Sequence, residues 1–152
     1  MAALLATAGA PRVAHAQLEA GSIRLALFAG YSFSDLNEWL VGVSGDLVVL
    51  PGWTATVAAS AVLGVSGSLS QYEVGMRRSL ATGSVEPYVG AGPVLFRSAT
   101  GNGATVRSDV GGFGLAGIQV RFTRLMSFVE VLALKDGAVS GQLRGGVRWR
   151  LR

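Results

Sequence analysis

Val139-Ser140-Gly141-Gln142-Leu143-Arg144-Gly145-Gly146-Val147-Arg148-Trp149-Arg150-Leu151 separates into two files at a period of two. One file holds Val139, Leu143, Val147, Trp149 and Leu151. The other holds Ser140, Gln142, Arg144, Arg148 and Arg150. Successive side chains of an extended chain point to opposite faces, so this segment reads as a strand with one apolar and one charged face. A helix would need its apolar residues three and four apart, and no segment of the chain has that stripe. Working back toward the N-terminus, the same alternation recurs in stretches of about ten residues, each closed by a turn signal. The candidate strands are Ser22–Phe33, Trp39–Val49, Trp53–Val65, Leu69–Leu80, Val85–Arg97, Asp109–Phe122, Met126–Leu134 and Val139–Leu151. The fold expected is all-β: an eight-stranded antiparallel up-and-down transmembrane β-barrel, an even strand count being the rule for single-chain bacterial barrels.

Composition says what lies outside that barrel. Half of the 152 residues are hydrophobic and 14% are charged, yet no run of apolar residues is long enough for a membrane helix. The most apolar stretch, Val57–Val65, is about nine residues, the length of a tilted membrane strand of about 9–11 residues. Lipid-facing residues diluted by alternate lumen-facing ones produce this combination. The charged file then belongs inside, because an Arg or Lys facing lipid at midplane costs about 2–4 kcal/mol. It collects Arg24, Asp46, Glu73, Arg77, Glu86, Arg121, Glu130, Arg144, Arg148 and Arg150. An eight-stranded barrel is just wide enough to be filled by its own side chains. Buried Arg and carboxylates coexist as hydrogen-bonded pairs, so a plug of Arg/Glu pairs is expected.

Aromatic residues mark the ends of the apolar file. Tyr31, Phe33, Trp39 and Tyr72 fall toward one end of strands 1, 2 and 4. Trp53, Phe122 and Trp149 fall toward the other end of strands 3, 6 and 8. Two such bands resemble interfacial girdles. Strand 7 does not separate: Glu130 shares its parity with Met126, Phe128 and Leu132. Tyr88 and Phe96 share theirs with Glu86. Either a bulge or a lumen of mixed character would account for this.

The connections alternate in kind. Pro51-Gly52, Ala81-Thr82-Gly83-Ser84 and Thr123–Leu125 are tight turns. On the other side lie Ser34–Glu38, Ser66–Ser68, Ser98–Ser108 and Lys135–Ala138. Ser98–Ser108 carries Thr-Gly-Asn-Gly-Ala-Thr and reads as a flexible loop. Ahead of the strands, Leu4 and Leu5 sit in an alanine-rich segment, and Ala14-His15-Ala16 fits a small-x-small cleavage site. Residues 1–16 are therefore expected to be a signal-peptide remnant without its charged leader, and residues 17–152 the barrel domain.

Glu86-Pro87-Tyr88-Val89-Gly90-Ala91-Gly92 resembles the Pro-Tyr-x-Gly-x-Gly opening of a middle strand in the small outer-membrane β-barrel family, the relatives of the OmpA transmembrane domain and OmpX. Gly111-Gly112-Phe113-Gly114-Leu115-Ala116-Gly117-Ile118 is similar to the Gly-rich strand that follows it there. The resemblance runs from about Ser22 to Arg152, and its motifs are short. It implies a monomer in the bacterial outer membrane, bounded by lipid, with the N-terminus and tight turns in the periplasm. It also implies the barrel-assembly machinery as partner during insertion. The family's terminal aromatic is missing, since the chain ends Arg148-Trp149-Arg150-Leu151-Arg152.

Function classes narrow by the same reasoning. Some small barrels act on lipid A by serine-hydrolase-like chemistry, which needs a general base within reach of Ser. The one His, His15, lies in the presumed signal, so no enzyme is expected. Cysteine is absent, and no metal or cofactor site is expected. The Arg residues are scattered singly, not gathered into the basic patch that nucleic acid requires. No small-molecule ligand is identifiable. The expected role is structural, or an undefined surface role in which Ser98–Ser108, with Asn102 and Arg107, would supply contacts. Two alternatives stay open. A soluble lipocalin-like carrier has the same alternation with the faces exchanged. A narrow passive pore could use inner glycines such as Gly75, Gly90, Gly92, Gly117 and Gly146.

Overall fold

The computed structural model describes residues 20–33, 37–64, 68–100, 105–135 and 139–151. The expected signal remnant, and residues 34–36, 65–67, 101–104 and 136–138 of the connections, lie outside the described residues. The strands are β1 (Ile23–Phe33), β2 (Glu38–Leu50), β3 (Trp53–Leu63), β4 (Ser68–Ser79), β5 (Val85–Thr100), β6 (Thr105–Phe122), β7 (Leu125–Lys135) and β8 (Val139–Arg150). Each pairs antiparallel with its neighbours in chain order. β1 closes on β8 through Arg24↔Arg150 to Phe33↔Gly141, so the sheet is a closed up-and-down barrel with no free lateral edge in its body. The β2–β3 register shifts between Val48 and Leu50. Gly52 then takes φ 77° in the turn, a conformation that L side chains rarely adopt.

Two long strands differ from the expectation. β5 and β6 run 16 and 18 residues and stay paired out to Thr100↔Thr105. Most of Ser98–Ser108 is therefore hairpin and not open loop. β7 pairs with β6 only from Gly112↔Lys135, so the hairpin extends beyond its β7 neighbour. Composition misled here: Ser, Thr and Gly signal a loop locally, whereas the cross-strand ladder is set by the partner strand.

The two faces have opposite chemistry. β1 presents Ile23, Leu25, Leu27, Ala29, Tyr31 and Phe33 outward and buries Arg24, Ala26, Phe28, Gly30 and Ser32. β2 exposes Trp39, Val41, Val43 and Leu47 and buries Leu40, Ser44, Asp46 and Val48. Outward charges among the described strand residues sit toward strand ends: Arg78, Arg97 and Lys135. Exposed aliphatics cover the space between. This tells against the lipocalin-like alternative, which needs the polar residues outside. Water cannot favour an exterior of this kind, because apolar area removed from it is worth about 25 cal/mol per Å².

The interior is mixed, and strand 7 needs no bulge. β7 keeps an unbroken alternation in which Met126, Phe128, Glu130, Leu132 and Leu134 all point in. One apolar cluster joins Tyr88, Val94, Phe113, Leu115, Leu132 and Leu134. A second joins Ala26, Phe28, Leu40 and Phe128. Inward glycines seat these rings. A Cβ on Gly75 would lie 2.7 Å from the Phe113 ring, one on Gly117 2.7 Å from the Tyr88 ring, and one on Gly146 2.9 Å from Phe128. Gly42 holds the Phe28 ring in the same way. At these positions glycine makes room for a neighbour's ring and, at Gly75 and Gly146, for close approach of a neighbouring backbone carbonyl.

Candidate functional site

Among the described residues, charged side chains converge in the polar part of the lumen. Gly42, Gly75, Gly117 and Gly146 let rings lie flat against the wall, and the remaining inward positions carry long polar groups that reach across. Glu73 on β4 and Arg144 on β8 stand on opposite sides of the eight-stranded ring. Arg144 Nη1 donates to Glu73 Oε2 at 3.0 Å, and its Nη2 donates to Glu73 Oε1. Arg144 Nε donates to Gln142 Oε1 at 3.0 Å, Gln142 Nε2 to Gln71 Oε1 at 3.0 Å, and Gln71 Nε2 to Glu73 Oε1 at 2.6 Å. These four side chains form a closed ring of bonds that spans the barrel. The guanidinium meets its carboxylate bidentately, the strongest such geometry, and glutamine amides hold both partners in register.

A second network centres on Asp46. Thr56 Oγ1 donates to Asp46 Oδ1 at 2.8 Å, and Arg148 Nε lies 2.7 Å from Oδ2. Arg77 bridges Asp46 and Glu130, at 3.6 and 3.5 Å. Glu130 accepts from the Tyr88 hydroxyl at 2.8 Å and lies 4.0 Å from Arg144, which ties the two networks together. Arg148 Nη1 donates to Gln119 Oε1 at 2.5 Å. Near the tight-turn end, Arg121 Nη2 donates to Glu86 Oε2 at 2.9 Å, and the Ser79 hydroxyl donates to Glu86. Arg24 is buried on the same face but forms no ion pair with any of these carboxylates.

The apolar and ionic parts are joined face to face. The Arg148 guanidinium stacks 4.6 Å from the Phe128 ring centroid, Arg144 5.0 Å from Phe28, and Arg77 5.6 Å from Tyr88. Guanidinium is weakly hydrated and planar, so it tolerates a ring on one face while its edge donates to oxygen. That explains how Glu130 sits among Met126, Phe128 and Leu132. Its partners come from β4, β5 and β8, and its own strand needs to supply none.

Reading charges alone missed Gln71, Thr56, Gln119, Gln142 and Tyr88 as members of the networks. Their parity with the charged file was the available signal. In the aromatic set, Tyr31 packs edge-on against Phe33 and Trp39, each at 5.3 Å between centroids. Trp53 carries the Arg78 guanidinium 5.4 Å from its ring, while Phe122 and Trp149 lie outward at the ends of β6 and β8. Tyr72 is a correction: the outward positions Ser68 and Ser70 separate it from the start of β4. It pairs with Ala59 and Leu95 inside the sheet, not at its rim.

No protein-family model and no curated protein sequence matches the chain. Solved structures do. The N-terminal β-barrel domain of OprF from Pseudomonas aeruginosa superposes with a TM-score of 0.76 at 14% identity, over 87% of this chain and 98% of that one. Neisserial surface protein A superposes at 0.65 and 18% identity, over 86% and 96%. Ail of Yersinia pestis, solved with the heparin analogue sucrose octasulfate, superposes at 0.57 and 15% identity, over 88% and 100%. The chain has the fold of the small eight-stranded outer-membrane β-barrels.

Proposed function

We propose that the protein is an integral barrel of the bacterial outer membrane, non-enzymatic, with a structural or surface role and a lumen closed by its own side chains. The exchange of faces carries this reading: buried Arg, Glu and Gln inside, exposed aliphatic residues outside. Lipid is the solvent that suits that exterior. The Gln71–Glu73–Arg144–Gln142 ring supports closure, because it crosses the barrel where a solute would pass. The tight turns face the periplasm, and the extended β5–β6 hairpin points outward, where a surface contact would fall. Insertion passes through the barrel-assembly machinery, with Val147, Trp149 and Leu151 as the outward file of the last strand, and the inserted protein is a monomer. Refolded into detergent, the protein should migrate differently on a gel unheated and boiled. Purification as a soluble monomer without detergent would defeat the membrane reading. In planar bilayers no discrete channels should appear; regular conductance steps would defeat the plug and restore the narrow pore.

A further inference from the structure

Among the described residues, Arg24 is a deeply buried lumen cation that takes part in none of the ion pairs. Among the described residues, Asp46 is held by Arg148 and Arg77, Glu73 by Arg144, Glu86 by Arg121, and Glu130 by Arg77 and Arg144. Arg24 stands opposite Asp46 and Arg150 in the ladder, only 2% exposed, and bonds to neither. Its Nε and Nη2 both lack a protein acceptor. Those two atoms form one edge of the guanidinium, with parallel N–H bonds, and that edge matches two oxygens of one oxyanion. Of the neighbouring atoms without a hydrogen bond, Asp46 Oδ2 is an acceptor, ion-paired with Arg148 Nε at 2.7 Å, and others are further donors. Ser22 Oγ lies two residues back on the same face, Ser44 Oγ lies across the β1–β2 pair, and Arg148 presents Nη2. The charges facing Arg24 are Arg148 and Arg121 against Asp46 and Glu86, and both carboxylates are already engaged.

We propose that Arg24 is the core of an oxyanion site inside the tight-turn end of the barrel, taking a phosphate-class anion on its Nε/Nη2 edge with Ser22 as a further donor. A buried guanidinium without a carboxylate is costly, and a phosphate supplies both countercharge and acceptors. The site does not depend on the membrane reading. Its failure would leave a heat-modifiable, non-conducting barrel unchanged.

The test is the thermal unfolding midpoint in uncharged maltoside micelles, with sodium phosphate compared against sodium chloride at equal ionic strength. A ligand bound only to the folded state raises the midpoint in a saturable way. Wild type should show a rise specific to phosphate. R24M should lose it while remaining at least as stable as wild type in chloride, since an unpaired buried charge is gone. R24K keeps the charge without the two-pronged edge and should lose most of the rise. A parallel arm with soluble dihexanoylphosphatidic acid distinguishes the source: a response to inorganic phosphate marks a free anion, and a response to the lipid alone marks a headgroup. No rise in either arm, or an equal rise in R24M, would overturn the proposal.

Discussion

β7 and β8 are hydrogen-bonded neighbours with nearly identical outward faces and very different inward ones. Outside, β7 shows Val129, Val131 and Ala133, and β8 shows Leu143, Gly145 and Val147. Inside, β8 carries Gln142, Arg144 and Arg148, whereas β7 carries Phe128, Leu132 and Leu134 around a single Glu130. The outer face meets one solvent, so every strand converges on one chemistry. The inner face meets other side chains, so each position is set by its mate. Arg148 lies on Phe128, and Glu130 is reached by Arg77, Arg144 and Tyr88. Neither strand's inner face makes sense without the other's.

The strongest way to break the contrast is to remove a charge from β8 and watch its partner. Arg144→Met leaves Glu73 buried beside two glutamines, and breaking a buried pair in this way should cost about 3–5 kcal/mol. The urea unfolding midpoint in phospholipid vesicles reads this directly. Adding Glu73→Met should recover most of the loss; a double variant as unstable as the single would show that the pair is not the unit. Next in size is the outer face of β7. Val129→Arg near the strand centre should cost about 2–4 kcal/mol, while Val139→Arg at the start of β8 should cost about 0–1 kcal/mol. Equal effects at the two depths would mean that no lipid core lies between them.

The seam itself comes third. Gly146 on β8 accommodates the Phe128 ring of β7 and the close backbone approach of Leu27 on β1, so Gly146→Val should displace the ring, crowd the β1–β8 pairing and cost at least about 1–3 kcal/mol as overpacking. Near-UV circular dichroism should register the displaced aromatic. The smallest effect belongs to the exposed Arg107–Asp109 pair on the extended hairpin, 3.0 Å apart. Arg107→Ala should shift stability by less than about 1 kcal/mol, because water already solvates both groups.

The same contrast shows what the sequence could tell. β8 was readable from its own residues because both files are pure. The strand order, the antiparallel closure and the outward files of strands such as β1, β4 and β8 follow from such alternation, since one solvent imposes one pattern. β7 was not readable alone: Glu130 among Met126, Phe128 and Leu132 looks like a parity error until Arg77, Arg144 and Tyr88 arrive from other strands. The inward charges were visible by parity, but the choice of partners was not. Nothing in the local sequence says that Glu73 takes Arg144 across the barrel, or that Asp46 turns to Arg148 and Arg77 and leaves Arg24, its neighbour in the ladder, unpaired. The length of the β5–β6 hairpin was hidden for a related reason, as its Ser, Thr and Gly residues are held by the opposite strand.

A single-cysteine scan of β8 tests the inverted barrel most directly, since the natural chain contains no cysteine. Positions 142 to 149 would each carry an environment-sensitive fluorophore in vesicles, with a lipid-borne quencher added. Quenching should alternate residue by residue, strong at 143, 145, 147 and 149 and weak at 142, 144, 146 and 148. Quenching that is uniform, absent, or strong at the even positions would contradict a strand whose apolar file faces lipid and whose arginines face a closed lumen.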